Sequence, residues 1–378
     1  MFPVFLYHAL QHPLAGGVEG DEYTKIQQKK KQKTNQTNFN QLEQHACSPF
    51  CELFPMNTFY VPVFLGVPPF LCYTICMARN LSYRIEAEGA GQTIGQYLAA
   101  RGYSTHILRL LRQVPGAVCR NGRAARNIDR LEAGDLLTVT IVDAQKTDIQ
   151  PVAMPLDIVY EDADILLVNK PSGLSVHPSS PGYCSALANG VKSRYPQAAV
   201  RPIHRLDRET SGLVLFAMNP LAAAILGTMM KTRQIQRHYL AVAQGKTPAQ
   251  GEIVAPLARE QGPSIKRRVD MEKGLFAQTA YERLAYAAGF SLLRLRLATG
   301  RTHQIRVHMA HIGHPLAGDT LYGGQAADSF PRLALHAAKL TFPHPISGEP
   351  LTFASPFPAD IGFLFPTYCE TRLDKNGE

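Results

Sequence analysis

Along residues 80 to 365 the apolar positions recur in short patterns that name elements one after another. In GQTIGQYLAARG (91–102), Ile94, Tyr97 and Leu98 repeat at helical spacing, and Gly102 is placed as a stop. Ser104 then suits the N-cap of a second short helix whose buried stripe is Ile107, Leu110 and Leu111. Arg109 and Arg112 fall three apart on its other face. VCRNGR holds an Asn-Gly hairpin signal at Asn121 and Gly122, and DLLTVTIV after Gly134 reads as a strand. AQKTDIQPVAMPLD (144–157), with prolines and no periodicity, reads as a linker.

Beyond the linker, ILLVNK (165–170) and LVLFA (213–217) are short apolar runs of the kind found in buried strands. In SLLRLRL (291–297), Leu293, Leu295 and Leu297 alternate with Arg294 and Arg296, which predicts one buried and one wet face. Asn219-Pro220 predicts a helix with Asn as its N-cap and Pro at the first helical position. Another helix is predicted from Thr302 to just before Gly313, with Ile305, Met309 and Ile312 as its apolar stripe. No regular strand–helix–strand rhythm emerges, so the class expected is α+β.

The first 76 residues differ from the rest. They contain no arginine, KIQQKKKQKTNQTNFNQ (25–41) is a polar low-complexity tract that cannot bury a core, and residues 53 to 78 carry no charge. Pro55, Pro62, Pro68 and Pro69 interrupt that uncharged run, at roughly 3 kcal/mol each inside a helix, which argues against a membrane span. No basic leader or small-residue cleavage site marks a signal peptide. The expectation is a native start at Met77, with residues 1–76 as upstream translated sequence; a disordered tail or an interfacial anchor is the other reading.

Composition changes the picture in two ways. A net charge of +9 points toward a polyanionic partner such as nucleic acid. Four of the seven cysteines lie in the first 76 residues and the other three are scattered, which is no disulfide framework and fits a reducing compartment, the cytoplasm. Cys47 and Cys51, with His45 nearby, lack the second half of a metal site.

The chemistry concentrates in HRLDRETSGLVLFA (204–217). Asp207 stands between Arg205 and Arg208 in a tight turn bounded by Thr210, Ser211 and Gly212, just ahead of a buried strand. Nearby positive charge favours an ionised carboxylate, so it reads either as a structural ion-pair partner or as a nucleophile held ready. GRTHQIRVH (300–308) supplies Arg301 and Arg306, and RHYLAVAQG (237–245) puts Tyr239 on a strand. A carboxylate, a guanidinium and an aromatic face together suit a planar base.

These segments, with VNKPSGLSVHP (168–178), GRTHQIRVHMAHIGHPLAGDTLYG (300–323) and LHAAKLTFPHP (335–345), resemble the RluA-type RNA pseudouridine synthases over about residues 80 to 365. The two short helices and hairpin of residues 80–143 resemble the RNA-binding domain named after ribosomal small-subunit protein four. The resemblance implies a pseudouridine synthase fold, a mixed and largely antiparallel sheet with flanking helices and loops, over residues 158–365, preceded by a small α/β RNA-binding domain and followed by a tail (366–378). It implies conversion of a uridine in structured RNA to pseudouridine without metal or organic cofactor.

Asp207 would be the nucleophile, attacking ribose C1′ or uracil C6. Tyr239 would stack on the base and is also the candidate for moving the C5 proton, Arg306 would pair with the nucleophile, and Arg205 would help hold the base out of its helix. Thr210, Arg301, His303 and Gln304 join the substrate- or RNA-binding set, and Arg109, Arg112, Arg120 and Arg123 would meet RNA in the small module. The module order leans toward ribosomal RNA over transfer RNA, with a monomer as the default state.

Two rivals are weighed. His303, His308, His311 and His314 cluster in sequence, with His204 beside the aspartate, but nothing like the glutamate of an HExxH zinc site accompanies them. A non-catalytic RNA-binding or ribosome-assembly factor would have shed Asp207, Tyr239 or Arg306, and all three are present.

Overall fold

The computed structural model describes residues 78–143, 148–178, 185–262, 264–324 and 330–370. The expected start at Met77, the low-complexity tract and the Cys47–Cys51 pair lie outside them.

The small module is a four-stranded antiparallel sheet with two helices. Its elements are β1 (Ala78–Arg84), α1 (Ile94–Ala100), α2 (Thr105–Gln113), β2 (Val118–Arg120), β3 (Arg123–Ala124) and β4 (Leu136–Val142), the strands in the order β1-β4-β2-β3. The local signals act as expected. Thr93 and Gln96 close a capping box on α1, and the Ser104 hydroxyl accepts from the Ile107 N–H at 3.3 Å on α2. Asn121 and Gly122 both adopt positive φ, 51° and 76°, the conformation a two-residue hairpin turn requires. Ile94, Tyr97, Leu98, Ile107, Leu111, Leu137 and Val139 form the module's core, which Leu221 of the following domain joins. Arg79 of β1 clasps Asp164 with a two-pronged contact at 2.9 and 2.8 Å, a second tie between the two parts.

The larger part holds β5 (Asp157–Glu161), β6 (Ile165–Lys170), α3 (Leu187–Arg194), β7 (Arg201–Pro202), β8 (Ser211–Ala217), α4 (Pro220–Lys231), β9 (Gln236–Gln244) and β10 (Gln250–Val254). It continues with β11 (Leu257–Arg259), β12 (Arg267–Val269), β13 (Gln278–Ala287), β14 (Phe290–Leu297), α5 (Gln304–His311), β15 (Leu335–Pro343), β16 (Pro350–Ala354), α6 (Ala359–Gly362) and α7 (Pro366–Glu370). A ten-stranded sheet runs β10-β13-β14-β9-β15-β8-β6-β5, with β16 on β15 and β7 on β8. Among the described strand pairs of this sheet only β15–β8 is parallel. This is the mixed, largely antiparallel α+β architecture expected.

Register places the site. Gly212, Ala337, Tyr239 and Leu295 sit opposite one another across β8, β15, β9 and β14. Gly212 has φ 112° and its missing Cβ would collide with the Ala337 backbone, so a side chain there would prevent β8 from reaching β15. That pairing brings the turn before β8 close to the middle of β9.

Two expectations for α5 need correction. The helix expected from Thr302 starts at Gln304, because His303 takes a left-handed φ of 56° and ends the preceding turn. Its apolar stripe is also not its only buried face: Gln304, Arg306 and His308 are buried too, since each finds polar partners inside. The linker is irregular where described, yet Ile149 packs into the main core and the Val152 N–H donates to Asn189 at 3.1 Å. At the far end, residues 366–370 form α7, whose Tyr368 and Cys369 pack against a core cluster.

Candidate active site

Asp207 lies in a turn closed by the Thr210 N–H donating to the Asp207 carbonyl at 3.1 Å. The turn is pinned from below. Lys170, 1% exposed, donates its ammonium to the carbonyls of Pro171, Leu174 and Arg208 at 2.8, 2.7 and 3.1 Å. Three donors meeting three acceptors hold the end of β6 and the Asp207 turn as one unit. Burial pushes this ammonium down to about 7, against the upward pull of Glu209 and Asp207.

The carboxylate of Asp207 is 18% exposed and faces Arg306, whose Nη1 stands 4.0 Å from Oδ2. Its sequence neighbours do not play that part. Arg208 turns away, with Nε donating to the Gly173 carbonyl at 2.9 Å, and Arg205 is exposed at the rim. Arg306 is itself fixed by Asp319, a fully buried carboxylate that takes Nε at 2.8 Å and Nη2 at 2.7 Å. Two of its three nitrogens are thus committed, and the third is aimed at Asp207. The Tyr322 ring lies 5.0 Å from the same guanidinium, and its hydroxyl meets His303 Nδ1 at 2.7 Å. Asp319 and Tyr322 lie in the segment 300–323 that carried the resemblance, yet no local feature marks either as a partner of Arg306.

A cleft of about 320 Å³ opens beside Asp207. Arg205, Thr210, Tyr239, Arg301, His303, Gln304 and Arg306 all line it, so the fold gathers the catalytic-domain residues that the resemblance assigned to the site. They are not equally available. Tyr239 is 5% exposed, with burial raising its phenol so that it stays protonated. Thr210 has a buried hydroxyl without a hydrogen-bond partner among the described residues. Arg301 donates Nε to the Phe276 carbonyl at 3.1 Å and remains exposed. Gln304, expected as a substrate contact, is instead occupied internally: its oxygen accepts from Thr299 and the Arg301 N–H, and its amide donates to Gln278 and Thr279. A wider groove adjoins the cleft, lined by His177, Arg205, Arg208, Arg259, Arg267 and His303 among others.

In the small module Arg109, Arg112 and Arg123 face solvent. Arg120 is only partly exposed: it bonds the Arg130 carbonyl and pairs with Asp135 at 3.2 Å and Glu132 at 3.4 Å, bracing the hairpin. The clustered histidines fare similarly. His308 has both ring nitrogens taken, by Thr279 and the Ala255 carbonyl at 2.9 Å each. Among the described residues the one group with metal-ligand spacing is Asp162, Asp164 and His344, and Arg79 and Tyr160 already occupy its carboxylates.

Two buried histidines set an acid limit on the fold. Burial foremost, then the charge of Arg237, pushes His204 down to about 3; burial and Arg332 do the same to His336. The folded values lie below the unfolded 6.5, so the unfolded chain binds more protons between those limits and stability falls as pH drops through that window. From pH 7 to pH 5 each histidine is expected to remove about 2 kcal/mol. Urea unfolding at the two pH values checks this, and His336→Gln should roughly halve the joint loss. An undiminished pH dependence in that variant would remove His336 from the account.

With this geometry in place, comparison with known proteins identifies the class. Residues 164–311 match the family model described as RNA pseudouridylate synthase. The uncharacterized RNA pseudouridine synthase YhcT of Bacillus subtilis is 40% identical over 245 residues, 63% of this chain and 80% of that one. Ribosomal large subunit pseudouridine synthase D of Xanthomonas campestris is 38% identical over 263 residues, 65% of this chain and 79% of that one. The solved human RNA pseudouridylate synthase domain containing 1 aligns at 27% identity and a TM-score of 0.47, covering 58% of this chain and 89% of that one. The chain belongs to the RNA pseudouridylate synthase family and is an RNA uridine isomerase. Among the described residues no helix is long and apolar enough to cross a membrane.

Proposed function

We propose that this enzyme converts a uridine of large-subunit ribosomal RNA to pseudouridine, with Asp207 as its nucleophile. The observation that carries the reading is the approach of Arg306 to Asp207 at 4.0 Å, at the edge of a cleft that Tyr239 also lines. Asp207 attacks ribose C1′ or uracil C6, and the C1′–N1 bond breaks with its electron pair going to N1. Uracil then turns, C5 bonds to C1′, and the C5 proton is lost. N1 gains a proton, and the bond to Asp207 opens to return the carboxylate. Tyr239 offers its ring to the flipped base. Arg205, exposed at the rim of both the cleft and the adjoining groove, fills the space that the base leaves. Extrusion costs a few kcal/mol, so contacts beyond the cleft must contribute.

The basic groove beside Asp207 and the solvent-facing Arg109, Arg112 and Arg123 of residues 80–143 supply those contacts, with the module acting as an RNA-binding domain. Ribosomal RNA is preferred to transfer RNA on the names of the relatives, several of which are ribosomal large subunit pseudouridine synthases. The enzyme acts as a cytoplasmic monomer without a cofactor. The test is tritium release from total RNA labelled at uridine C5 and taken from cells lacking the gene, followed by mapping of the new pseudouridine. Modification confined to transfer RNA would overturn the ribosomal assignment, and no release from any RNA would overturn the activity.

A further inference from the structure

Among the described residues, Arg237 is the one partly buried cation of the cleft whose side chain has neither a hydrogen bond nor a counter-charge. Arg205 and Arg301 also lack an ion pair but are exposed to solvent. Arg237 lies on β9 two residues before Tyr239, so both side chains leave the same face of the strand, roughly 6 to 7 Å apart along it. Both line the cleft with Asp207. Arg237 is half-buried, its side chain makes no hydrogen bond or ion pair among the described residues, and its Nε is fully buried without a partner there. Glu252 borders the neighbouring groove that Arg237 also touches, but outside ion-pair distance. The contrast with Arg306, which has Asp319 in a fork and Asp207 beside it, is complete.

A half-buried guanidinium with no acceptor is costly, and such a group persists where a ligand supplies the acceptor. The surroundings leave it uncovered. Gly300 lies against the fork, and a Cβ at that position would stand 2.8 Å from Arg237 Nη1. Its charge is felt within the cleft: it depresses the His204 imidazole and opposes the effect of burial on Tyr239.

The reaction moves a negative charge toward that spot. When Asp207 closes on C1′, a C–O bond forms, the C1′–N1 bond breaks, and its electron pair leaves on uracil as an anion spread over N1, O2 and O4. When it closes on C6 instead, a C–O bond forms, the electron pair of the C5–C6 double bond becomes a C4–C5 double bond, and the C4 carbonyl pair moves onto O4, giving an enolate with its charge shared between O4 and C5. On either route Asp207 becomes a neutral ester, and one negative charge passes from the side of Arg306 to the oxygens of the ring stacked on Tyr239. We propose that Arg237 is a further catalytic residue, which holds a carbonyl oxygen of the target uracil and stabilises the negative charge that develops there. The inference rests on the uridine isomerase reading with Asp207 as nucleophile. A cation already in place, in a site partly shielded from water, needs no reorganisation when the charge arrives.

The test is single-turnover tritium release with enzyme in excess over total RNA labelled at uridine C5, from cells lacking the gene. It reads the rate at saturation and the half-saturating enzyme concentration separately. For Arg237→Met the saturated rate should fall by about 10²- to 10³-fold, while the half-saturating concentration moves by less than about threefold. Arg237→Lys, which keeps the charge, should recover the rate to within about tenfold of the parent. Gly300→Ala, which displaces the guanidinium without removing it, should lower the saturated rate in the same direction and guards against a methionine variant that fails to fold. A methionine variant with an unchanged saturated rate and weakened half-saturation would make Arg237 a clamp on the RNA phosphates and overturn the proposal. One with neither value changed would show that Arg237 touches no substrate. Inactivity of the unsubstituted protein would instead bring down the isomerase reading itself, so the two failures are distinct.

Discussion

Asp207→Asn is expected to end tritium release, lowering the saturated rate by on the order of 10⁴-fold or more, while RNA affinity stays within about threefold. The substitution conserves size and shape. The turn should survive it, because it is held by backbone groups: the Thr210 N–H on the Asp207 carbonyl and the Lys170 ammonium on the Arg208 carbonyl. Arg306 also keeps its place, since Asp319 and not Asp207 takes its two short bonds. What is lost is the anionic oxygen, and a neutral amide neither attacks carbon nor departs again as a carboxylate. Asp207→Ala should behave alike and excludes slow deamidation as a source of residual turnover. Release within about tenfold of the parent in both variants would place the nucleophile elsewhere.

Asp319→Ala should be the most damaging change for stability, at about 3 to 5 kcal/mol by urea unfolding. The Arg306 side chain is 8% exposed and that of Asp319 is not exposed at all. Removing the carboxylate therefore strands a buried guanidinium, whose nearest remaining counter-charge is Asp207 at 4.0 Å. Arg306 would swing toward Asp207 and lock it in a direct ion pair, so the fraction that stays folded should also turn over slowly. Asp319→Asn retains one acceptor and should lose less stability, which keeps the activity comparison available if the alanine variant fails to fold. A loss below about 1 kcal/mol for alanine would mean that water reaches the pair and that Asp319 does not fix Arg306.

Much of the local structure was legible because its causes are local. Ser104 and Asn219 cap helices through their own side chains, Asn121-Gly122 turns where positive φ is required, and Arg294 and Arg296 leave the wet face of β14. Asp207 was recognisable from its tight turn before a buried strand together with matching motifs far along the chain. Adjacency misled where charge was concerned. Arg205 and Arg208 flank the aspartate in sequence, but a turn sends neighbouring side chains in different directions, and the cation that meets Asp207 comes from α5, 99 positions on by residue number.

The helix α5 shows the same limit from the other side. Its apolar positions predict one buried stripe, yet Arg306, His308 and Gln304 are buried as well, each because a distant residue supplies its partner: Asp319, Thr279 with Ala255, and Gln278 with Thr279. Composition cannot announce such partners, since burial of a polar group depends on what the register brings opposite it. The sequence by itself determined several of the elements, through local propensity, and its motifs carried the family resemblance from which the class of chemistry and the nucleophile candidate follow. Only the tertiary structure decided which charges face one another. The β8–β15–β9 register and the burial of Asp319 leave Arg306 beside Asp207 and, among the described residues, Arg237 without a counter-ion, and both are products of contacts between segments far apart in the chain.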